Sequence, residues 1–303
     1  MRCAPFHISH IAHLKSFPIK LAPLHLIYNS FGTLIETNKR AKVTVANIKS
    51  MEKRSMKKTI FSYGLLVVTV LLVAALSLAS TIADADALYA QGGIDNYGKA
   101  IGIYETLLEG NAGDFALNWK CARACREYGE TAKKEKVEGW KKICKEYGKK
   151  GMEYAGKARE INPDHPAGHY YYGLSVGIYS DGTGILTALK EGLKDKTQSS
   201  FEKAYELDKM YEDAGSILAL GRFWAVLPWP MKSNKKSLAY YREYQTTPFF
   251  QQRDEGKIYL SELLIAKGGK ANKAEARQIL EQAVKTDDAY FREWAERLLA
   301  KTQ

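Results

Sequence analysis

Breaks and alternations are what this chain has least of. Only eight prolines occur in 303 residues, and the five beyond residue 84 are Pro163, Pro166, Pro228, Pro230 and Pro248. They separate apolar patterns instead of cutting through them. No run alternates apolar and polar residues for long, so nothing after Asp84 reads as a half-buried strand. Histidine is scarce as well: beyond residue 25 there are only His165 and His169. There is no HExxH, the GLSVG of Gly173 to Gly177 follows a helical pattern and not the strand that a GxSxG nucleophile turn needs, and the carboxylates are dispersed, so no nucleophile, base and orienting group can be assembled. The expectation is a non-enzyme that needs no cofactor.

Cysteine is limited to four positions, Cys3, Cys121, Cys125 and Cys144. No CxxC or nearby histidine completes a tetrahedral set, so no metal site is expected. Cys121 and Cys125 share a helix face and Cys144 falls on the following helix. One bridge from Cys144 to either fits this spacing, and so does burial of all three as small packing residues. His7, His10, His13 and His25 lie in a segment without a fixed scaffold and do not form a ligand set.

Charge is unevenly placed. The formal balance is +11, yet residues 1–58 hold eleven Lys and Arg against Glu36 and Glu52, residues 59–83 hold no charge, and the remaining 220 residues sum to only +2. The body is therefore nearly neutral, and a nucleic-acid partner is not expected. Lys57 and Lys58, the apolar run TIFSYGLLVVTVLLVAALSLASTIA and the small residues Ser77, Ala79, Ala83 and Ala85 are the three parts of a secretory signal peptide. Uncleaved, the same run is long enough to anchor the chain in an inner membrane through residues 59–83. Residues 1–55 show no sustained periodicity, and Met51 and Met56 offer later starts. The expected organisation is a non-native or disordered extension over 1–55, a signal peptide or anchor over 56–83, and a helical domain over 84–303.

Within that domain apolar residues recur at three and four. The pattern predicts helices over 84–92, 96–110, 114–129, 132–161, 166–179, 184–193, 196–208, 212–226, 234–246, 252–267, 272–286 and 288–301. A second-helix signature of small and aromatic positions recurs five times. It appears as Ala100, Tyr104, Leu107; Gly151, Ala155, Ala158; Phe201, Ala204; Ser237, Tyr241, Tyr244; and Ala276, Leu280, Ala283. Gly173 and Gly221 stand at the corresponding first-helix position. This is the pattern of tetratricopeptide (TPR) repeats, and it predicts an all-α solenoid of antiparallel helix pairs, each burying its apolar face on the next. Gly173 and Gly221 are 48 residues apart, not the usual ~34, so an extra helix is expected near 184–193.

The stretch SDGTG, Ser180 to Gly184, invites a phosphate-loop reading. It follows a helical pattern instead of a strand and lacks the paired aspartates or Lys-Ser/Thr that such loops need. Gly182 and Gly184 are read as backbone freedom for a reversal, and Gly177 as a helix end or close packing point. His165, beside Pro166, is a turn residue and need not share a face with His169.

Aromatic residues gather on first helices or their ends: Trp119, Tyr170, Tyr171, Tyr172, Tyr179, Phe223, Trp224 and Trp229. First helices line the concave side of such a stack. The candidate binding set is Trp119, Arg123, His169, Tyr170, Tyr172, Arg222 and Trp224, an aromatic wall with two guanidinium anchors.

INPDHPAGHYYYGLSVGIYSDGTGILTAL from Ile161, FEKAYELDKMYEDAGSILALGRFWAVLPWP from Phe201, KKSLAYYREY from Lys235 and NWKCARACREYGE from Asn118 together resemble the TPR-containing T component of tripartite ATP-independent periplasmic (TRAP) transporters. The likeness runs over about 84–267. It implies a periplasmic accessory subunit that binds a solute-binding protein, holds a hydrophobic ligand in a groove and forms a trimer. The lipoprotein cysteine common in such proteins is missing: the apolar run passes into SLASTIADADA. The alternative is an envelope TPR scaffold that binds a peptide or protein without a small ligand.

Overall fold

The computed structural model describes residues 81–303. The expected 1–55 extension and nearly all of the 56–83 leader lie outside the described residues. What is described is helical throughout, with no strand. Residues 81–91 (α1) are followed by α2 (Ile94–Gly110), α3 (Phe115–Lys134), α4 (Trp140–Ile161) and α5 (Pro166–Thr183). The chain continues through α6 (Ile185–Lys190), α7 (Leu193–Leu207), α8 (Tyr211–Val226), α9 (Asn234–Gln245) and α10 (Phe249–Gln252). It ends in α11 (Asp254–Lys267), α12 (Lys270–Ala283), α13 (Ala289–Leu299) and a 3-10 turn, Ala300–Thr302.

The helices stack in pairs, α3 on α4, α5 on α7, α8 on α9 and α11 on α12, and each pair leans on the next. The signature positions explain the stacking. Tyr104, Tyr241, Tyr244 and Leu280 are fully buried, as are Ala100, Ala155, Ala204 and Ala276. A Cβ built on Gly173 would lie 2.4 Å from the Phe201 ring, and one on Gly221 would lie 2.4 Å from the Tyr241 ring. The first-helix glycine is thus the seat for the second-helix aromatic ring. α6 is the expected inserted helix, shorter than its 184–193 span.

Helix starts are capped where short polar residues stand. Asp114 accepts from Leu117 N at 2.8 Å, Asp288 from Tyr290 N at 2.9 Å, and the His165 Nδ1 accepts from Ala167 N at 3.1 Å, with Pro166 opening α5. His165 therefore ends the preceding turn and faces Phe115 and Tyr211 edge-on.

Three sequence expectations need correction: where α3 ends, what SDGT does, and Gly177, which lies inside α5 with no described residue within 4 Å of its Cβ position and so neither ends the helix nor admits a neighbour. α3 does not stop at 129 but runs through Gly129 to Lys134, because that glycine admits Ile178 of α5, whose Cγ2 would lie 2.5 Å from an added Cβ. The break falls at 135–139, where Lys136 and Gly139 adopt positive φ. Nor is SDGT a reversal. α5 continues to Thr183, Gly182 presses on the α4 backbone at Lys141 and Lys145, and only Gly184, at φ 88°, turns the chain.

Cys121, Cys125 and Cys144 are buried and unbridged. Cys144 Sγ donates to Gly129 O at 3.2 Å, and burial pushes its pKa up to about 11. Of the two readings open to the spacing, small-residue packing is the one adopted. Among the described residues no helix is long and apolar enough to cross a membrane, and no group of three or more His, Cys, Asp or Glu is placed to hold a metal.

Candidate binding cavity

The inner face of the stack encloses a cavity of about 700 Å³. Its walls are first helices: Arg126, Glu130 and Lys133 from α3; Tyr170, Leu174, Gly177, Ile178 and Asp181 from α5; Leu218, Arg222 and Phe223 from α8; Tyr259 from α11; Tyr290 and Trp294 from α13. Leu189 and Leu193 of the α6–α7 segment and Phe201 complete it. The stack curls far enough for its last helix to meet α3. Lys134 Nζ lies 5.5 Å from the Tyr290 ring centre and 4.4 Å from that of Phe291.

Most of this lining is apolar or aromatic, and its charged members are held in ion pairs. Lys133 bridges α3 to α5, donating to Glu130 at 3.1 Å and to Asp181 at 2.8 Å. Burial alone would raise the Glu130 carboxyl, but Arg126 and Lys133 outweigh it and hold the group below the usual carboxylate range. Burial works against the Lys133 ammonium too, yet Glu130 and Asp181 carry its pKa above the ordinary value. Arg222 donates to Glu262 at 2.6 Å while its guanidinium lies 4.6 Å from the Tyr259 ring and 5.6 Å from that of Trp294. Arg253 donates to Asp213 at 2.8 Å. The lining holds five cations, Arg126, Lys133, Lys194, Arg222 and Arg253, against Glu130, Asp181 and Glu255. Each of these cations also has a carboxylate partner in or beside the lining, Glu127, Glu130, Asp181, Asp195, Glu262 or Asp213. What stands beside the apolar walls is therefore a set of paired groups with N–H donors to spare, which suits a ligand with a hydrogen-bond-accepting, anionic end and an apolar body.

Of the sequence-selected residues, Tyr170 and Arg222 line this cavity. Trp119 and Arg123 stand on a neighbouring stretch. The Arg123 guanidinium covers the Tyr89 ring at 3.8 Å and lies 5.0 Å from Trp119, and Trp119 stacks on Tyr171 at 6.0 Å with the planes 8° apart. Tyr171 meets Tyr170 edge-on at 5.2 Å, so an aromatic path runs from Arg123 to the cavity rim. Arg123 Nε is buried without a hydrogen-bond partner among the described residues. At that rim Glu212, Asp213 and Ala214 turn left-handed, at φ 49°, 58° and 59°, a costly conformation for non-glycine residues. The turn brings Asp213 to Arg253 and Tyr211 against Tyr170.

His169, Tyr172 and Trp224 lie away from the cavity. Two helical residues on from Tyr170 or Arg222 is about 200° of rotation, which carries Tyr172 and Trp224 to the other side of their helices. Tyr172 is buried beneath Arg159, 3.8 Å from ring to guanidinium. Trp224 is buried against Phe223 with Lys236 Nζ at 3.9 Å. His169 Nε2 pairs with Pro163 O at 2.9 Å and borders a separate groove with Arg159, Ser200 and Lys203. Sequence reasoning missed Glu130, Lys133, Asp181, Tyr259, Tyr290 and Trp294. Tyr290 and Trp294 at i and i+4 were visible as one face of the last helix; that this face closes the cavity was not.

The stacked pairs, the glycine seats and the curled inner wall define a helical-repeat protein of TPR type. The chain belongs to the family described as Regulator of microtubule dynamics protein 1-3, whose model matches residues 81–303. Among solved structures it is similar to a thermophilic TPR protein of Thermus thermophilus, with a TM-score of 0.51 and 18% identity over 74% of this chain and 99% of that one. At that identity the likeness is one of fold. No individually curated protein matches in sequence. The two matches bear on the repeat fold, and neither bears on the likeness to TRAP T components.

Proposed function

We propose that this protein is a non-catalytic helical-repeat scaffold whose inner cavity takes an amphipathic ligand, its anionic end on the guanidinium groups and its apolar body along Leu174, Ile178, Leu189 and Leu218. The observation that carries this is Arg222: its guanidinium, held by Glu262, lies beside both the Tyr259 and Trp294 rings in a wall that is otherwise largely apolar. Dodecanoate added to the purified protein and followed by native mass spectrometry is the direct test. Retention is expected in the wild type and a drop of about tenfold in Arg222→Ala, the worth of one charge-assisted hydrogen bond. Equal retention in Arg222→Ala and Tyr170→Ala, with melting curves unchanged, removes the assignment.

The motifs at Ile161–Leu189 and Phe201–Pro230 extend the proposal to an accessory subunit of a TRAP-type uptake system, exported by residues 56–83, partnered by a solute-binding protein and trimeric. Sequencing the N-terminus of the chain from an envelope fraction tests the export step: a start near Asp84 supports it, an intact apolar run supports an anchor, and recovery only from the cytosol rejects both. The family's description favours a second reading, a partner on the microtubule. Co-pelleting with polymerised tubulin, set against pull-down of a solute-binding protein, separates the two.

A further inference from the structure

Of the four large apolar side chains exposed among the described residues, three share one neighbourhood: Leu186 at 63%, Val226 at 41% and Trp229 at 89%. Leu186 is on α6, Val226 ends α8 and Trp229 tips the loop before α9. The two segments touch, since Leu189 of α6 packs on Phe223, Trp224 and Leu227. Their neighbours Ile185, Leu189, Val226 and Leu227 line the cavity, so this apolar patch borders one mouth of it.

On the α8–α9 side of that mouth the charge is of one sign, while on the α6 side Lys190 stands beside Glu191, whose carboxylate accepts from Tyr179 Oη at 3.0 Å. No Asp or Glu occurs from Ala214 to Arg242. Lys190, Lys232 and Lys235 have no ion-pair partner among the described residues, and Lys236 rests on the Trp224 ring. Lys235 and Lys236 stand in the first turn of α9, where the helix dipole disfavours cations. Their placement costs the fold something and gains it no ion pair. Exposed Trp and Leu ringed by unpaired lysines are the composition of a surface that seats in the headgroup region of an anionic bilayer.

We infer that the α6 and 227–236 face docks on a membrane carrying anionic lipid, with Trp229 inserted among the headgroups and Lys190, Lys232 and Lys235 over their phosphates. The cavity mouth would then open toward the bilayer. This docking does not require an occupied cavity, so it stands or falls apart from the ligand proposal.

The test uses the full chain with vesicles of phosphatidylcholine, alone or with about 30% phosphatidylglycerol, the acyl chains brominated to quench tryptophan. Any anchoring by residues 59–83 would be common to both vesicles, so the difference between them reports on this face. Quenching is expected to be greater in the anionic vesicles, to fall when salt screens the surface, and to lose that excess in Trp229→Phe, which removes the fluorophore. Lys232→Gln with Lys235→Gln keeps Trp229 and is expected to reduce the excess about threefold or more. Equal quenching in both vesicles, or an excess that survives in Trp229→Phe, overturns the inference. With no excess, the remaining candidate for this face is an acidic protein surface.

Discussion

Replacing Gly148 with alanine is expected to destabilise the protein by about 3 kcal/mol, lowering the melting temperature by roughly 6–12 °C for a domain of this size. Gly148 lies in α4 where it crosses α5, the most extensively packed pair among the described helices. An added Cβ would sit 2.4 Å from Tyr179 N and 2.7 Å from Tyr179 Cα. Those are backbone atoms inside a helix, so nothing flexible can move aside. From the other side Gly182 of α5 makes the reciprocal approach, its Cβ position 2.4 Å from Lys141 O and Lys145 N. The two helices are therefore in backbone contact at two points, and a methyl group at either must push them apart. The intrinsic gain of alanine over glycine in a helix, about 1 kcal/mol, is smaller than that cost. Gly102→Ala in α2 is the internal control. No described residue lies within 4 Å of its Cβ position, so the same substitution there is expected to stabilise by about 0.5–1 kcal/mol. Chemical or thermal unfolding of the two variants side by side checks the sign of each; a Gly148→Ala protein as stable as the wild type would mean that α4 and α5 do not cross as described.

That crossing also shows what could and could not be read from the residues in order. Helix pairing was legible because it rests on period: Ala100, Tyr104, Ala155, Tyr241 and Leu280 fall where a repeat buries them, and they are buried. The inserted helix was legible from the spacing of Gly173 and Gly221. Glycine was less so, because the same residue serves two opposite purposes. Gly184 turns the chain at positive φ, whereas Gly182, two positions earlier, stays helical to admit a neighbouring backbone. Only the identity of the neighbour distinguishes them, and that neighbour is more than thirty residues away. Gly129 misled for the same reason, ending a predicted helix that in fact continues.

The cavity was legible in kind and less so in its members. That first helices face inward follows from the stacking of pairs. Which of Tyr170, Tyr171 and Tyr172 does so depends on helix phase, about 100° per residue, and three consecutive tyrosines give no phase of their own. Tyr170 lines the cavity, Tyr171 stacks on Trp119, and Tyr172 is covered by Arg159. The charged part was out of reach altogether. Lys133 meets Asp181 across 48 residues, and Arg222 is flanked by rings from α11 and α13. Such contacts come from the curl of the whole stack, which sums small rotations at every pair and is recorded at no single position.

Gly177 is where binding and stability are expected to separate. It is helical, inside α5, and faces the cavity with no described residue within 4 Å of its Cβ position. Unlike Gly148 it has no neighbour to admit, so what its missing side chain provides is empty volume one turn from Leu174 and Asp181. Gly177→Phe is expected to place a ring in the space where the apolar body of a ligand would lie. Displacing contacts worth about 3 kcal/mol would lower affinity roughly a hundredfold. Stability should stay level or rise by about 0.5 kcal/mol, since phenylalanine is the better helix former. Gly177→Ala supplies the graded comparison: it should stabilise by about 1 kcal/mol while leaving most of the cavity, and hence dodecanoate retention, intact. Native mass spectrometry and melting curves on the same preparations read both quantities. Full retention in Gly177→Phe would move the ligand site out of the cavity. Loss of fold in Gly177→Phe, with Gly177→Ala stable, would show that the space beside α5 is closed by packing and leaves no room for a ligand.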